Sequence, residues 1–248
     1  MTDQTRTITC ASWNIHRGKG SDGRTDPARI AQVLGDDICP TPSDILVLQE
    51  ADADRPPHCG FLDVALIEQQ TGLRHIHAAA SARWGMTSHG FLGVIVFASP
   101  RWQVDDITLL DLPGHCHRGA VIVDLSMAGT AFRVIGTHLS LSQVLRAVQM
   151  RTLGQHLFRR TQRQTILCGD LNEWRPWGGM ALSPRLIGLT FAGPARATFP
   201  VQRPFLPLDR ILATAPARVI TTEVLDSRAI RAASDHRPLR ATVKIASG

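Results

Sequence analysis

The stretch Ile166-Leu167-Cys168-Gly169-Asp170-Leu171-Asn172-Glu173-Trp174 decides how the chain is read. Three apolar residues suited to a buried strand run into a glycine, and a carboxylate and an amide follow two positions apart. Gly, Asp and Asn are also ordinary turn residues after a strand, so the stretch alone fits a plain turn or a site. The choice depends on whether other strands end the same way.

They do. Segments rich in Ile, Val and Leu recur at 7–13, 44–49, 91–98, 120–125, 132–137, 164–168, 209–213 and 240–245, as buried strands should. Asn14 follows the first, Glu50 the second, and His138 follows Thr137; Asp209 opens the segment at 209–213, and Asp235-His236 comes just before the last. Helical signals lie between. Asp26-Pro27 reads as a cap and first-turn proline ahead of Ile30, Val33 and Leu34. A stripe of Leu141, Val144, Leu145, Val148 and Leu157 predicts a helix over 142–160, with Arg146, Gln149, Arg159 and Arg160 on its other face; a third helix surrounds Ile67. Strands outnumber helices and several follow one another directly, so the expected fold class is an α/β sandwich with substantial antiparallel pairing.

With 248 residues, no linker-like tract and no internal repeat, a single domain over 1–248 with a large core is expected. The formal charge of +6 suits an anionic partner, whether nucleic acid, a phospholipid surface or a phosphorylated small molecule, and nothing calls for an obligate protein partner. The first residues lack the apolar core of a signal peptide, and the longest clearly apolar run, Val94 to Ala98, is far too short for a transmembrane segment. Five cysteines without a CxxC pair favour a reduced, cytoplasmic setting. His115-Cys116-His117 hints at zinc, but no second ligand pair stands at suitable spacing.

The residues at the strand ends form a chemically coherent set. Carboxylates and amide oxygens suit a hard cation, Mg²⁺ or Mn²⁺. Two histidines, each open to orientation by a carboxylate, suit proton transfer near neutral pH. No G-x-S-x-G elbow, G-x-x-x-x-G-K loop, G-x-G-x-x-G loop or H-E-x-x-H is present. Metal-assisted hydrolysis of a phosphoester is the economical inference.

The motifs Trp13-Asn14-Ile15-His16-Arg17-Gly18, Leu48-Gln49-Glu50, Arg118-Gly119-Ala120, Gly136-Thr137-His138-Leu139, Gly169-Asp170-Leu171-Asn172, Leu208-Asp209-Arg210-Ile211 and Ser234-Asp235-His236-Arg237-Pro238 follow one another in this order. Together they resemble the endonuclease/exonuclease/phosphatase superfamily, whose fold is that of deoxyribonuclease I. Asn14 to Asp26, with Arg196-Ala197-Thr198-Phe199-Pro200 before Leu208-Asp209, is similar to its small bacterial metal-dependent hydrolases. The resemblance implies a four-layer α/β/β/α sandwich of two packed mixed sheets with the active site at one rim. By position it implies Glu50 as principal Mg²⁺ ligand (or Mn²⁺), assisted by Asn14 and Asp235, and His236 as general base oriented by Asp209. It further implies Asp170 and Asn172 holding the attacking water and a phosphate oxygen. His138 would donate to the phosphoryl group or protonate the leaving oxygen, and Arg118 would contact the phosphate. Asp170 and Asn172 are expected one pleat apart on the same face. Where relatives carry an amide and a hydroxyl, this chain has Val94 and Ala98, and Ser88-His89-Gly90 would have to compensate. The expected activity is hydrolysis of a phosphodiester, in nucleic acid by preference, with a phospholipid or phosphorylated small molecule as alternative. A catalytically inactive binding protein of the same fold is the remote one.

Overall fold

A computed structural model describes residues 5–115 and 117–247. In chain order the elements are β1 (Thr5–Asn14), α1 (Pro27–Val33), β2 (Ile45–Gln49), α2 (Val64–Thr71), β3 (Arg74–His75), β4 (Ile95–Ala98), β5 (Gln103–Leu112), β6 (Arg118–Met127) and β7 (Thr130–His138). Then come α3 (Gln143–Phe158), β8 (Thr165–Asp170), α4 (Pro184–Ile187), β9 (Asp209–Ala213), β10 (Arg218–Val224), α5 (Arg228–Ala233) and β11 (Leu239–Ala246). The first sheet has the order β10-β11-β1-β2-β4-β3 and the second β5-β6-β7-β8-β9.

Each sheet is antiparallel except for one central pair. β1 runs parallel to β2, and β7 parallel to β8. A parallel neighbour needs a crossover, and these crossovers carry α1 and α3. Asp26 caps α1, its Oδ1 accepting from the Arg29 amide at 3.0 Å, and Pro27 fills the first turn. Apolar side chains from both sheets, among them Val47, Val96, Val121, Val134, Ile166 and Val243, interlock in one shared core. Trp13, Leu46, Leu48 and Phe97 bury the opposite face of the first sheet against Ile30, Val33, Ile67 and Ile230 of α1, α2 and α5. Ile122, Ile135 and Leu167 do the same for the second sheet, against Met150, Leu153, Leu157 and Ile187 of α3 and α4. Helices therefore cover the outer faces of two packed mixed sheets, the four-layer arrangement expected. Among the described residues no helix is long and apolar enough to cross a membrane.

Three local expectations are corrected. The strand expected over 91–98 begins only at Ile95, because Leu92 and Gly93 take left-handed conformations (φ 48° and 81°) and Phe91 bridges back to Val94 across the turn. The edge strands β5 and β10 lie outside the expected segments; β5 opens with the exposed polar residues Gln103, Asp105 and Asp106, decoration that protects an unpaired edge. The face of α3 is inverted. Ala147, Met150, Leu153 and Leu157 pack inward together with Arg146 and Gln149, which are 2% and 0% exposed. Leu141 and Val144 face outward, at 78% and 69% exposure.

One buried group links the core to pH. His77 lies inside the first sheet's edge, its Nδ1 donating to the Ala82 carbonyl and its Nε2 accepting from the Val96 amide at 3.1 Å. Burial depresses its pKa to about 4. Below an unfolded value of about 6.5 the unfolded chain therefore binds a proton that the native chain refuses, so stability falls as pH drops from about 6.5 towards 4. The drop amounts to about 3 kcal/mol from this residue. Urea unfolding at pH 7 and pH 4.5 should show His77→Gln losing less stability between the two than wild type; equal losses would remove His77 from the account.

Candidate functional site

The sheet topology sets two rows of polar residues face to face. Across the second sheet, Arg118 starts β6, His138 ends β7, Asp170 ends β8 and Asp209 starts β9; the register pairs His138 with Asp170 and Asp170 with Asp209. These directions alternate except at the parallel pair, so all four lie at one rim. Across the first sheet the same rim holds His236 just before β11, Asn14 at the end of β1 and Glu50 just after β2. The C-terminal ends of the two parallel pairs thus bring Asn14 and Glu50 opposite His138 and Asp170. The rows touch: Asn14 Nδ2 lies 3.0 Å from Asp170 Oδ2 and 3.4 Å from Glu50 Oε1.

His236 is the most firmly held of these groups. Its Nδ1 donates to Asp209 Oδ2 at 2.8 Å, and Asp209 is fully buried, also accepting from Thr198 Oγ1 at 2.5 Å. The indole N–H of Trp13 holds the His236 carbonyl at 3.0 Å, and Phe199 packs against the ring at 4.8 Å. The free Nε2 faces Asp170 Oδ2 at 3.8 Å. Burial opposes a charge here, but Asp209, Asp170 and Asp235 outweigh it and push the His236 pKa up to about 10.

His138 is its electrostatic opposite. Burial drives its pKa down to about 3, with Asp170 pulling upward and Arg118 downward. The ring is therefore neutral at pH 7 and carries one N–H. Arg118 Nη1 lies 3.0 Å from Nδ1 and can only donate, which makes Nδ1 the acceptor and leaves the proton on Nε2. Nε2 lies 3.5 Å from Asp170 Oδ2 and 3.2 Å from Asn172 Nδ2. A neutral ring that donates fits hydrogen bonding to a phosphoryl oxygen rather than protonation of a leaving group.

Asn172 reaches the site differently from expectation. β8 ends at Asp170, and Asn172 lies beyond it in the left-handed region at φ 50°. Its amide N–H donates to Asp170 Oδ1 at 2.9 Å, and its side-chain amide donates to the Leu139 carbonyl at 2.9 Å. A local turn, not the pleat, brings the two together. Gly169 (φ 152°) is required before them, since a Cβ there would sit 1.9 Å from the Thr137 carbonyl oxygen.

On the opposite side Glu50 also takes a left-handed backbone, at φ 55°, a conformation sparse for a residue with a side chain. Arg17 Nη1 holds its Oε2 at 2.6 Å, leaving Oε1 toward Asn14. Asn14 Oδ1 accepts from the His16 amide at 3.0 Å, which fixes the amide orientation and leaves it one lone pair. Asp235 presents a buried Oδ1 with no hydrogen-bond partner, 3.7 Å from His16 Nδ1. The described carboxylate and imidazole groups whose ligand atoms lie mutually within 4.8 Å are Asp170, Asp209 and His236. Asp209 is already committed to His236 and Thr198, so this trio is built first for holding protons. Glu50, Asn14 and Asp235 supply the hard oxygen donors nearby, and the orphaned Asp235 oxygen fits a divalent cation.

Arg17, Thr198, Ser234 and Glu173 also belong to the site; the sequence sets them inside the quoted motifs without giving any of them a role. Ser234 Oγ ties the His236 amide to the Asn14 carbonyl at 3.2 and 2.7 Å, a link between residues 220 positions apart. Ser88 and His89 serve their own loop instead of the site: Ser88 Oγ donates to the Gly90 carbonyl, and the His89 carbonyl accepts from His75 Nε2. His115 and His117 border a cavity beside Glu50, and Cys116 of the possible zinc motif lies outside the described residues.

The chain is similar to known proteins in sequence and in fold. The uncharacterised protein YbhP of Escherichia coli K12 is 27% identical over an alignment spanning 99% of this chain and 100% of YbhP. A solved endonuclease/exonuclease/phosphatase family protein from Bacteroides thetaiotaomicron shares the fold at a TM-score of 0.72 and 16% identity, covering 98% of this chain and 99% of the other. Danio rerio TDP2, solved with a single-stranded DNA product, matches at a TM-score of 0.68 and 16% identity, covering 96% and 98%. The Endonuclease/Exonuclease/phosphatase family model matches residues 11–236, from within β1 to His236 itself, and the chain belongs to that family.

Proposed function

We propose that the protein is a divalent-metal-dependent phosphoesterase that hydrolyses a phosphodiester with Mg²⁺ or Mn²⁺, within one domain over 1–248. The observation that carries this reading is the buried array Asp209–His236–Asp170–His138, facing Glu50 across the joined ends of the two parallel strand pairs. Membership of the family supports hydrolase chemistry at such a site.

Glu50, Asn14 and Asp235 would hold the cation, which when bound offsets charge on the non-bridging oxygens. Arg118 contacts a further phosphate oxygen, and the Nε2–H of His138 donates to the phosphoryl group as negative charge builds there. Asn172 and Asp170 position water for in-line attack. The water oxygen bonds to phosphorus, its proton passes to the Asp170–His236–Asp209 array, and the P–O bond to the leaving alcohol breaks, that oxygen taking up a proton. With His236 held cationic by three carboxylates, Asp170 is the stronger candidate for the first proton acceptor, and His236 steadies the carboxylate pair.

Hydrolysis of a chromogenic phosphodiester tests the reading. Activity should require Mg²⁺ or Mn²⁺, vanish with a chelator, and fall by about 100-fold or more in Glu50→Gln. A chelator-resistant rate, or a Glu50→Gln variant with wild-type activity and metal affinity, would overturn it. The charge of +6 suits any polyanion, and Danio rerio TDP2 was solved with a single-stranded DNA product, so nucleic acid is one substrate class this reading admits and a phospholipid is the other.

A further inference from the structure

Two cavities meet at the proposed reaction centre and share Glu50, Arg118 and His138. A phosphodiester held by those three would send one substituent into each, and the two cavities differ in kind. The first, about 320 Å³, is lined by Arg17, Asp52, Asp54, His58 and His117. His58 donates Nδ1–H to the Ala53 carbonyl at 2.9 Å, so its buried Nε2 is an acceptor. Neither that atom nor the buried Oδ2 of Asp52 has a partner among the described residues. Both await a donor, as hydroxyl or ammonium groups provide.

The second cavity, about 410 Å³, is walled by Leu141, Trp174, Phe199 and Leu206. Its apolar surface continues outward: Val144, Val148 and Phe158 lie on one stripe of α3 with Arg151 among them, and all four are exposed. Residues 125–169 and 174–208, which supply this wall and stripe, contain no Asp or Glu and ten arginines. Of these, Arg151, Arg159, Arg185, Arg196 and Arg203 are exposed. Exposed alkyl groups with Arg151 on the same stripe, and Trp174 with the Arg175 guanidinium over its ring, match the interface of an anionic bilayer. Trp174 and Phe199 would serve a base as well as an acyl chain, but Leu141, Val144 and Val148 beside them offer only alkyl surface, which suits the acyl chain. A polynucleotide would also place a nucleoside on both sides of its phosphate.

We propose that the substrate is an amphiphilic phosphodiester, a phospholipid in an anionic membrane surface, with its polar group in the Arg17–His58 cavity and its apolar part along the Leu141–Trp174 wall and the exposed stripe of α3. The assignment rests on the hydrolase reading for its chemistry and on the surface for its binding. Water adds across the P–O bond as described, its oxygen to phosphorus and a proton to the leaving oxygen.

The test is co-sedimentation with vesicles of phosphatidylcholine and phosphatidylglycerol, about four parts to one, in chelator so that no cation bridges protein and lipid. Wild type should partition onto them, and Val144→Ser/Val148→Ser/Phe158→Ser, three exposed changes outside both cavities, should bind about tenfold more weakly or worse. With Mg²⁺ the ratio of the rate on vesicle phosphatidylglycerol to the rate on a soluble chromogenic diester should fall by a similar factor. Wild type that cleaves the soluble diester but ignores vesicles, a triple variant that binds them as well as wild type, or faster cleavage of single-stranded DNA than of lipid would each overturn the lipid assignment alone. Wild type that binds vesicles and cleaves neither substrate would sink the hydrolase reading, and the substrate with it.

Discussion

Replacing His236 by alanine is expected to lower kcat/KM on a chromogenic diester by about 10³-fold, and Asp209→Asn by about 10²- to 10³-fold, with KM little changed in either. The two should not add. Asp209 acts only through the ring it holds at 2.8 Å, so the double variant should fall little below His236→Ala alone. Additive losses would mean that the two carboxylate and imidazole groups work separately, contrary to the geometry.

The electrostatics give a readout independent of rate. Burial alone would lower the His236 pKa; Asp209, Asp170 and Asp235 reverse that and set it near 10. In chelator, NMR should show a cationic His236 ring at pH 8, and Asp209→Asn should bring its titration down. Because the native value lies above the unfolded one, this pair stabilises the fold fully below pH 6.5 and loses that contribution as pH rises toward 10. A divalent cation near Asp235 and Glu50 offsets part of the same negative field, so adding Mg²⁺ should lower the His236 pKa. A ring titrating near 6.5 without metal would refute the assignment of charges.

Much of this was legible in the sequence because it is a matter of where polar residues interrupt apolar runs. Asn14, Glu50, His138 and Asp170 each end a core strand, and strands hold their ends rigidly. What could not be read depends on partners distant in the chain. Thr198 looks like any threonine until β9 places Asp209 against it, and Arg17 looks solvated until it meets Glu50. The α3 reading failed for a related reason. Its sequence carries two apolar stripes, and the one with Met150, Leu153 and Leu157 wins the core because Arg146 and Gln149 beside it find buried partners. Gln149 accepts from the Ser140 amide and donates to the Pro113 carbonyl, tying down the chain just after His138. The losing stripe is left exposed, and its first residue, Leu141, lines the site.

Glu173→Ala is expected to cost about 3–5 kcal/mol of stability, the largest single-residue effect anticipated in this structure. Glu173 follows Asn172 directly and has no exposure at all. Its carboxylate accepts from Arg175 Nη1 at 2.8 Å and from the Arg175 amide at 3.1 Å, and faces Arg146 Nη2 at 3.4 Å. Its carbonyl accepts from Arg210 Nη2 at 3.1 Å, while Arg210 Nε donates to the Pro207 carbonyl. Arg146 and Arg210 are themselves 2% and 1% exposed, so removing the one carboxylate leaves a buried guanidinium without its counter-charge. The same group spans the turn that delivers Asn172 to Asp170, and activity should fall with stability. Urea unfolding of Glu173→Ala, Arg146→Met and the double variant Glu173→Gln/Arg146→Met separates the causes. The double variant should recover at least half of the loss, because neutralising both partners abolishes the uncompensated charge. If Glu173→Ala costs less than about 1 kcal/mol, the pair is solvated in practice and the loop that presents Asn172 is held by something else.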